Sequence, residues 1–188
     1  MNKSILIAIA CCVIPLAIIG FIFLSGGERV DHSTMPGWTD KNKVRIGTSI
    51  GDSAPDFQLV DIGGAKITKS EFNKKPMIVW FTASYCVPCQ IGAKEVARLD
   101  SDLGDGTFDV VMVFIDSRET EQDLRWWKDN FANKDWFVAF GDEKIIGDYK
   151  IRFLDTQYLL DRDGVIRNLA NSNVGYEVYK NKIQSLIQ

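Results

Sequence analysis

Histidine is almost missing from this chain: its 188 residues include only His32. Cysteine is scarce too, with four residues, Cys11, Cys12, Cys86 and Cys89. A closed zinc site needs about four ligands. Cys11 and Cys12 lie in an apolar run and His32 is distant from Cys86, so a zinc site at Cys86 and Cys89 lacks its other half. No internal repeat or low-complexity tract is visible. The formal net charge of −3 gives no electrostatic footprint for nucleic acid.

Charge is also missing over one long run, Ile5 to Leu24. As a helix rising ~1.5 Å per residue, this run spans ~30 Å, the thickness of a bilayer core. Pro15 and Gly20 are tolerated in such helices. A cleavable signal has a shorter apolar core of ~7–15 residues and a small-x-small cleavage site, to which Leu24-Ser25-Gly26 is a poor match. Residues 1–24 therefore read as an uncleaved single membrane anchor, with Cys11 and Cys12 as apolar filler. Residues 25–49 are polar, broken by Gly26-Gly27 and Pro36-Gly37, and read as a linker carrying Trp38. Residues 50–188 have the length of one globular domain.

Within that domain the organising feature is Cys86-Val87-Pro88-Cys89, between an apolar run (Met77 to Phe81) and a helical pattern. A helix N-terminus carries partial positive charge and unpaired N–H groups. A thiolate there is stabilised, and its pKa falls from ~8.5 into the range ~3.5–7.5. Apolar or small residues recur at Cys89, Gly92/Ala93, Val96, Leu99 and Leu103, the stripe of a core-facing helix. Cys89 thus starts the buried face and Cys86 lies ahead of it at the exposed tip. That order makes Cys86 the attacking thiolate and Cys89 the resolving thiol. A purely structural disulfide is the competing reading, but so short a loop gains little stability from closure.

The rest of the domain alternates strands and helices. Phe57 to Val60 and Ala65 to Thr68 predict a strand pair across Gly63-Gly64, and Ser70 to Phe72 a helical turn. Met77 to Phe81 and Phe108 to Ile115 predict buried strands. Asp116 or Ser117 is expected to cap a helix running to about Ala132. Val138 to Phe140 predicts a strand, Lys144 to Tyr149 a short helix, and Asp161 to Gly164 a hairpin turn between two further strands. Gly175 to Ile187 predicts a closing amphipathic helix. In Trp126-Trp127, adjacent helical residues point ~100° apart, so one is expected in the core and the other partly exposed. This pattern is a mixed α/β sheet covered on both faces.

Three segments together resemble the TlpA/ResA-type membrane-anchored thioredoxins: Gly51-x-x-Ala54-Pro55-Asp56-Phe57, Phe81 to Cys89, and Tyr158 to Gly164. The resemblance covers roughly Ile50 to Gln188. It implies an α/β thioredoxin fold with an N-terminal strand extension and a central insertion, here preceded by a single transmembrane helix. It also implies an extracytoplasmic thiol–disulfide oxidoreductase with a Cys86–Cys89 disulfide, Tyr85 and Pro88 in support, and neither metal nor cofactor. Partners are then protein thiols and disulfides outside the cytoplasm, and the chain sits in the cell membrane through Ile5–Leu24. Lys3 and Arg29 flank the span, so charge barely decides its orientation; disulfide exchange belongs on the oxidising side. With no histidine between the cysteines to depress the Cys86 pKa further, reduction is slightly favoured over oxidation.

The chain departs from the resemblance at four positions. Tyr85 stands where relatives usually have Trp. Gly92 and Trp80 stand where relatives or ordinary thioredoxins carry a buried acid. Asp155 aligns with the family's cis-proline, and a non-proline cis bond costs ~2.5–4 kcal/mol. Asp155 is therefore read either as a surface-loop residue with a trans bond or as the missing acid. Two other activities compete. Ala54 to Phe57 also resembles peroxiredoxins, whose peroxidatic cysteine follows a Thr by three residues and a Pro by seven; Ala83 and Val79 stand there instead. A Sco-type copper chaperone needs CxxxC and a distal histidine, and this chain has CxxC with His32 upstream.

Overall fold

The computed structural model describes residues 45–72, 74–104 and 106–187. The expected span Ile5–Leu24 and the linker to residue 44, with Trp38, lie outside the described residues. Among the described residues no helix is long and apolar enough to cross a membrane. Arg45 to Ser49, read from sequence as linker, are bonded to the domain: Ile46 bridges Ser53 and the Arg45 guanidinium binds Asp52 at 3.0 Å. A charged pair that can close over seven residues draws this short segment onto the fold.

The domain is built on a five-stranded sheet. Its strands are β3 (Met77–Thr82), β4 (Asp109–Phe114), β5 (Phe137–Phe140), β6 (Thr156–Leu160) and β7 (Ile166–Ala170), in the order β5-β4-β3-β6-β7. β3 pairs in parallel with β4 and antiparallel with β6. The central strand β3 is buried at every position, as its unbroken apolar run requires. Its alternate side chains feed two cores. Ile78 and Trp80 join a cluster with Cys86 and Cys89, while Met77, Val79 and Phe81 join the cluster on the opposite face.

Three helices cover the first face: α1 (Val87–Leu103), α2 (Glu121–Phe131) and α4 (Tyr176–Ile187). They contribute Cys89, Ala93, Val96 and Leu99; Leu124 and Trp127; and Tyr179 and Ile183. The second face is covered by α3 (Glu143–Asp148) through Ile145, and by the hairpin of β1 (Gln58–Val60) and β2 (Lys66–Thr68) through Leu59 and Ile67. Exposed sheet edges invite pairing with another chain, and the N-terminal segment closes both. Gly51 and Asp52 exchange backbone bonds with Ile166 beside β7, while Ile62 N–H reaches Val138 and the Asp61 carboxylate accepts from Val138 N–H at 2.8 Å beside β5.

The start of α2 differs from the sequence reading. Neither Asp116 nor Ser117 caps it; Thr120 does, with a reciprocal box to Asp123. Asp116 is drawn instead to Tyr85 and Arg118. Trp127 is fully buried and Trp126 exposed, as adjacent helical positions require. Thr120→Ala should cost about 0.5–2 kcal/mol in chemical denaturation, the usual loss of a cap. An unchanged midpoint would mean that α2 does not depend on this box.

Candidate active site

β3 ends at Thr82, and three residues of loop lead to Cys86 at the N-cap of α1. The backbone turns there because Cys86 N–H bonds back to Ala83 C=O at 3.0 Å and Gln90 N–H begins the helical ladder on Cys86 C=O. Pro88 falls in the first turn, where its missing N–H costs nothing. The Val87 and Cys89 N–H groups lack intrahelical acceptors and leave the tip of a 17-residue helix electropositive beside the sulfurs. Cys86 and Cys89 are joined as a disulfide. Cys89 is fully buried and Cys86 is 8% accessible. Cys86 is thus less exposed than the sequence implies, because its bond to a core cysteine holds its sulfur inward; it is still the more accessible of the two.

Two loops fix the approach to Cys86. Ser84 N–H donates to the Glu119 carboxylate, and Gln90 Nε2 donates to Ser84 C=O at 2.7 Å. The Tyr85 hydroxyl donates to Asp116 at 2.6 Å, and Arg118 grips the same carboxylate at 2.6 and 2.9 Å. The Arg118 guanidinium, then the Tyr85 hydroxyl, hold Asp116 well below the usual carboxylate range. The bond to Asp116 in turn pushes the Tyr85 hydroxyl up. Tyr85, Val87 and Phe153 are exposed apolar side chains at this end of the sheet.

The sign of the Asp116 effect sets a pH prediction. A folded-state pKa below the unfolded value of ~3.9 stabilises the fold above that pH and ceases to do so as pH falls toward the folded value. The destabilisation caused by Asp116→Asn should therefore be full at pH 5–8 and shrink progressively below about pH 4. Denaturation series at fixed ionic strength check this; a difference constant down to pH 2 would disprove it.

Asp155 is placed differently from the surface-loop reading. Its peptide bond is trans, since the described residues contain no cis bond. However, the residue is buried at 4% exposure with φ +63°. Its carboxylate accepts three N–H donors: Trp80 Nε1 at 2.9 Å, Gln157 Nε2 at 2.8 Å and Asn173 N at 2.8 Å. Gln157 in turn accepts from the Tyr179 hydroxyl at 2.6 Å. Burial is tolerated because each polar group has a partner.

The two empty acid positions are one feature. A Cβ on Gly92 would lie 2.8 Å from Cη2 of Trp80, so the indole occupies the space that a side chain at 92 would need. Sequence reasoning missed this exchange, along with Glu119, Gln157 and Tyr179. The available signal was size: a glycine on the core stripe of α1 and a tryptophan in the central strand are complementary.

The chain matches the model of the AhpC/TSA family over residues 50–169. It is 28% identical over 129 residues to the thioredoxin-like protein YneN of Bacillus subtilis, covering 68% of this chain and 75% of that protein. To the thiol-disulfide oxidoreductase ResA of Bacillus thuringiensis it is 26% identical over 129 residues, covering 69% and 71%. Among solved structures, a putative thiol:disulfide interchange protein DsbE from Chlorobium tepidum superposes with a TM-score of 0.64 at 23% identity, covering 76% of this chain and all of the other. That last likeness shows a thioredoxin-like fold.

Proposed function

Since the chain belongs to the AhpC/TSA family and is a thiol–disulfide oxidoreductase of thioredoxin-like fold, we propose that it exchanges disulfides with protein partners outside the cytoplasm, held in the membrane by Ile5–Leu24. The observation that carries the chemistry is the Cys86–Cys89 pair at the tip of α1, with Cys86 at the N-cap and Cys89 in the core.

In the reducing direction the Cys86 thiolate attacks one sulfur of a partner disulfide. A mixed disulfide forms and the partner's other sulfur leaves as a thiolate. The Cys89 thiolate then attacks Cys86 Sγ, closing the Cys86–Cys89 bond and releasing the second partner thiolate. Two electrons pass to the partner, and two protons complete its thiols. The reverse sequence oxidises a dithiol, and the relative potentials set the direction. The absence of histidine between the cysteines supports reduction.

Protease added to intact spheroplasts should remove the domain. Complete protection beside a digested outward-facing control would overturn the topology. Peroxide turnover, or stoichiometric copper retention, by the reduced protein would favour the peroxidase or chaperone readings. Ala83 and Val79, where a peroxidase has Thr and Pro, argue for disulfide exchange instead.

A further inference from the structure

Asp155 gathers under α1 the groups that seat the helix one turn beyond Cys89. Thr156 pairs with Phe81, so Asp155 lies at the end of the sheet from which the Cys86 loop departs. Its side chain turns inward. One oxygen holds the Trp80 indole, whose far ring edge meets Gly92; the other holds Asn173 N, and the Asn173 side chain also meets Gly92, with Cγ 3.2 Å from an ideal Cβ there. Both groups packed on Gly92 are therefore fixed by one carboxylate. Gln157 braces that carboxylate and is itself held by Tyr179 from α4. Trp80 and Tyr179 also meet as a tilted ring pair, with centroids 6.3 Å apart.

Gly92 is one helical turn after Cys89. When the disulfide is open, no covalent bond fixes the Cys89 sulfur relative to Cys86. The packing beneath the first turns of α1 must then do so. We propose that Asp155 is a positioning residue for the resolving step: through Trp80 and Asn173 it seats α1 so that the Cys89 thiolate lies in line with Cys86 Sγ. The initial attack by Cys86 at the helix tip does not depend on this seat. The inference rests on the disulfide-exchange reading above.

The reaction of the reduced full chain with 5,5′-dithiobis(2-nitrobenzoate) separates the two steps. Attack by Cys86 on the reagent releases one thionitrobenzoate and leaves the other on Cys86. Attack by Cys89 on Cys86 Sγ closes the internal disulfide and releases the second. Wild-type protein must give two releases; a single release would defeat the dithiol reading itself, independently of Asp155. Asp155→Gly removes the carboxylate while tolerating the left-handed backbone at no steric cost. It should leave the first release within about twofold and slow the second about tenfold or more, since misplacement by ~1 Å can cost ~10²-fold. Asp155→Asn keeps an oxygen for Trp80 and Gln157 but turns an NH2 donor toward Asn173 N–H, so it should recover only part of the second rate. Gly92→Ala, which presses on the same seat through Trp80, should reproduce the split if Asp155→Gly fails to fold.

Equal slowing of both releases, or of neither, would overturn the proposal. A slowing of the second release by Asp155→Gly that disappears at high pH, where Cys89 ionises without a base, would overturn it too, and would assign Asp155 to proton transfer at Cys89.

Discussion

Cys86→Ser should reduce disulfide exchange to the rate of buffer alone, whereas Cys89→Ser should retain the first attack and accumulate mixed disulfides. The thiolate is the nucleophile, and a serine hydroxyl at the same N-cap stays protonated and unreactive. The asymmetry follows from position. Cys86 ends the loop from β3 and is the more accessible cysteine, whereas Cys89 is sealed in the core shared with Trp80, Ala93 and Val96. In single-cysteine variants, alkylation should be faster at Cys86, with a midpoint below the ~8.5 of an ordinary thiol. Faster alkylation at Cys89 would reverse the assignment. Mixed disulfides captured by Cys89→Ser would identify the protein partners directly.

Trp80→Ala should be among the most destabilising single changes in the domain. Trp80 is fully buried in the central strand, packs on Gly92, meets the Tyr179 ring at a tilt and donates to Asp155. Truncating a buried Trp to Ala costs about 3–5 kcal/mol, and it also withdraws a donor from a buried carboxylate. Against a typical total of about 5–15 kcal/mol, that is a large fraction of the stability, and thermal unfolding followed by circular dichroism should show a midpoint lowered by roughly 10–20 °C.

Gly92→Ala tests the same contact from the other side, and two effects compete there. Alanine is worth about 1 kcal/mol over glycine in a helix interior. Forcing a methyl to within 2.8 Å of a fixed indole is overpacking, which costs about 1–3 kcal/mol. The clash should win because the far ring edge cannot retreat while Nε1 is held by Asp155. Trp80→Phe, which lacks that edge, should relieve it, so a double-mutant cycle should show favourable coupling. A stabilising Gly92→Ala in the wild-type background would refute the close packing.

Sequence alone was sufficient wherever the governing interactions are local. The unbroken apolar run of Met77 to Phe81 marked the central strand, because burial on both faces removes any need for alternation. The spacing of Cys89, Ala93, Val96 and Leu99 made Cys89 the core-facing cysteine, because helical period alone selects a face. Asp161 to Gly164 marked the hairpin through turn chemistry confined to four residues. The cap of α2 was harder. Asp116, Ser117 and Thr120 can all cap a helix, and the choice fell to Thr120 once Tyr85, 31 residues away, and Arg118 engaged Asp116.

Asp155 lay beyond that reach. Its neighbours Arg152, Phe153 and Leu154 form a short loop that locally resembles surface. Its environment is set by Trp80, 75 residues earlier, and by Asn173, 18 residues later. Gly92 looked like the loss of an acid, and only the packing of β3 under α1 revealed it as room for an indole. Local period and turn chemistry determined the elements and the dithiol at the helix tip. Topology alone decided which distant side chains meet behind that dithiol, because a buried polar group is tolerated only where the fold brings its partners to it.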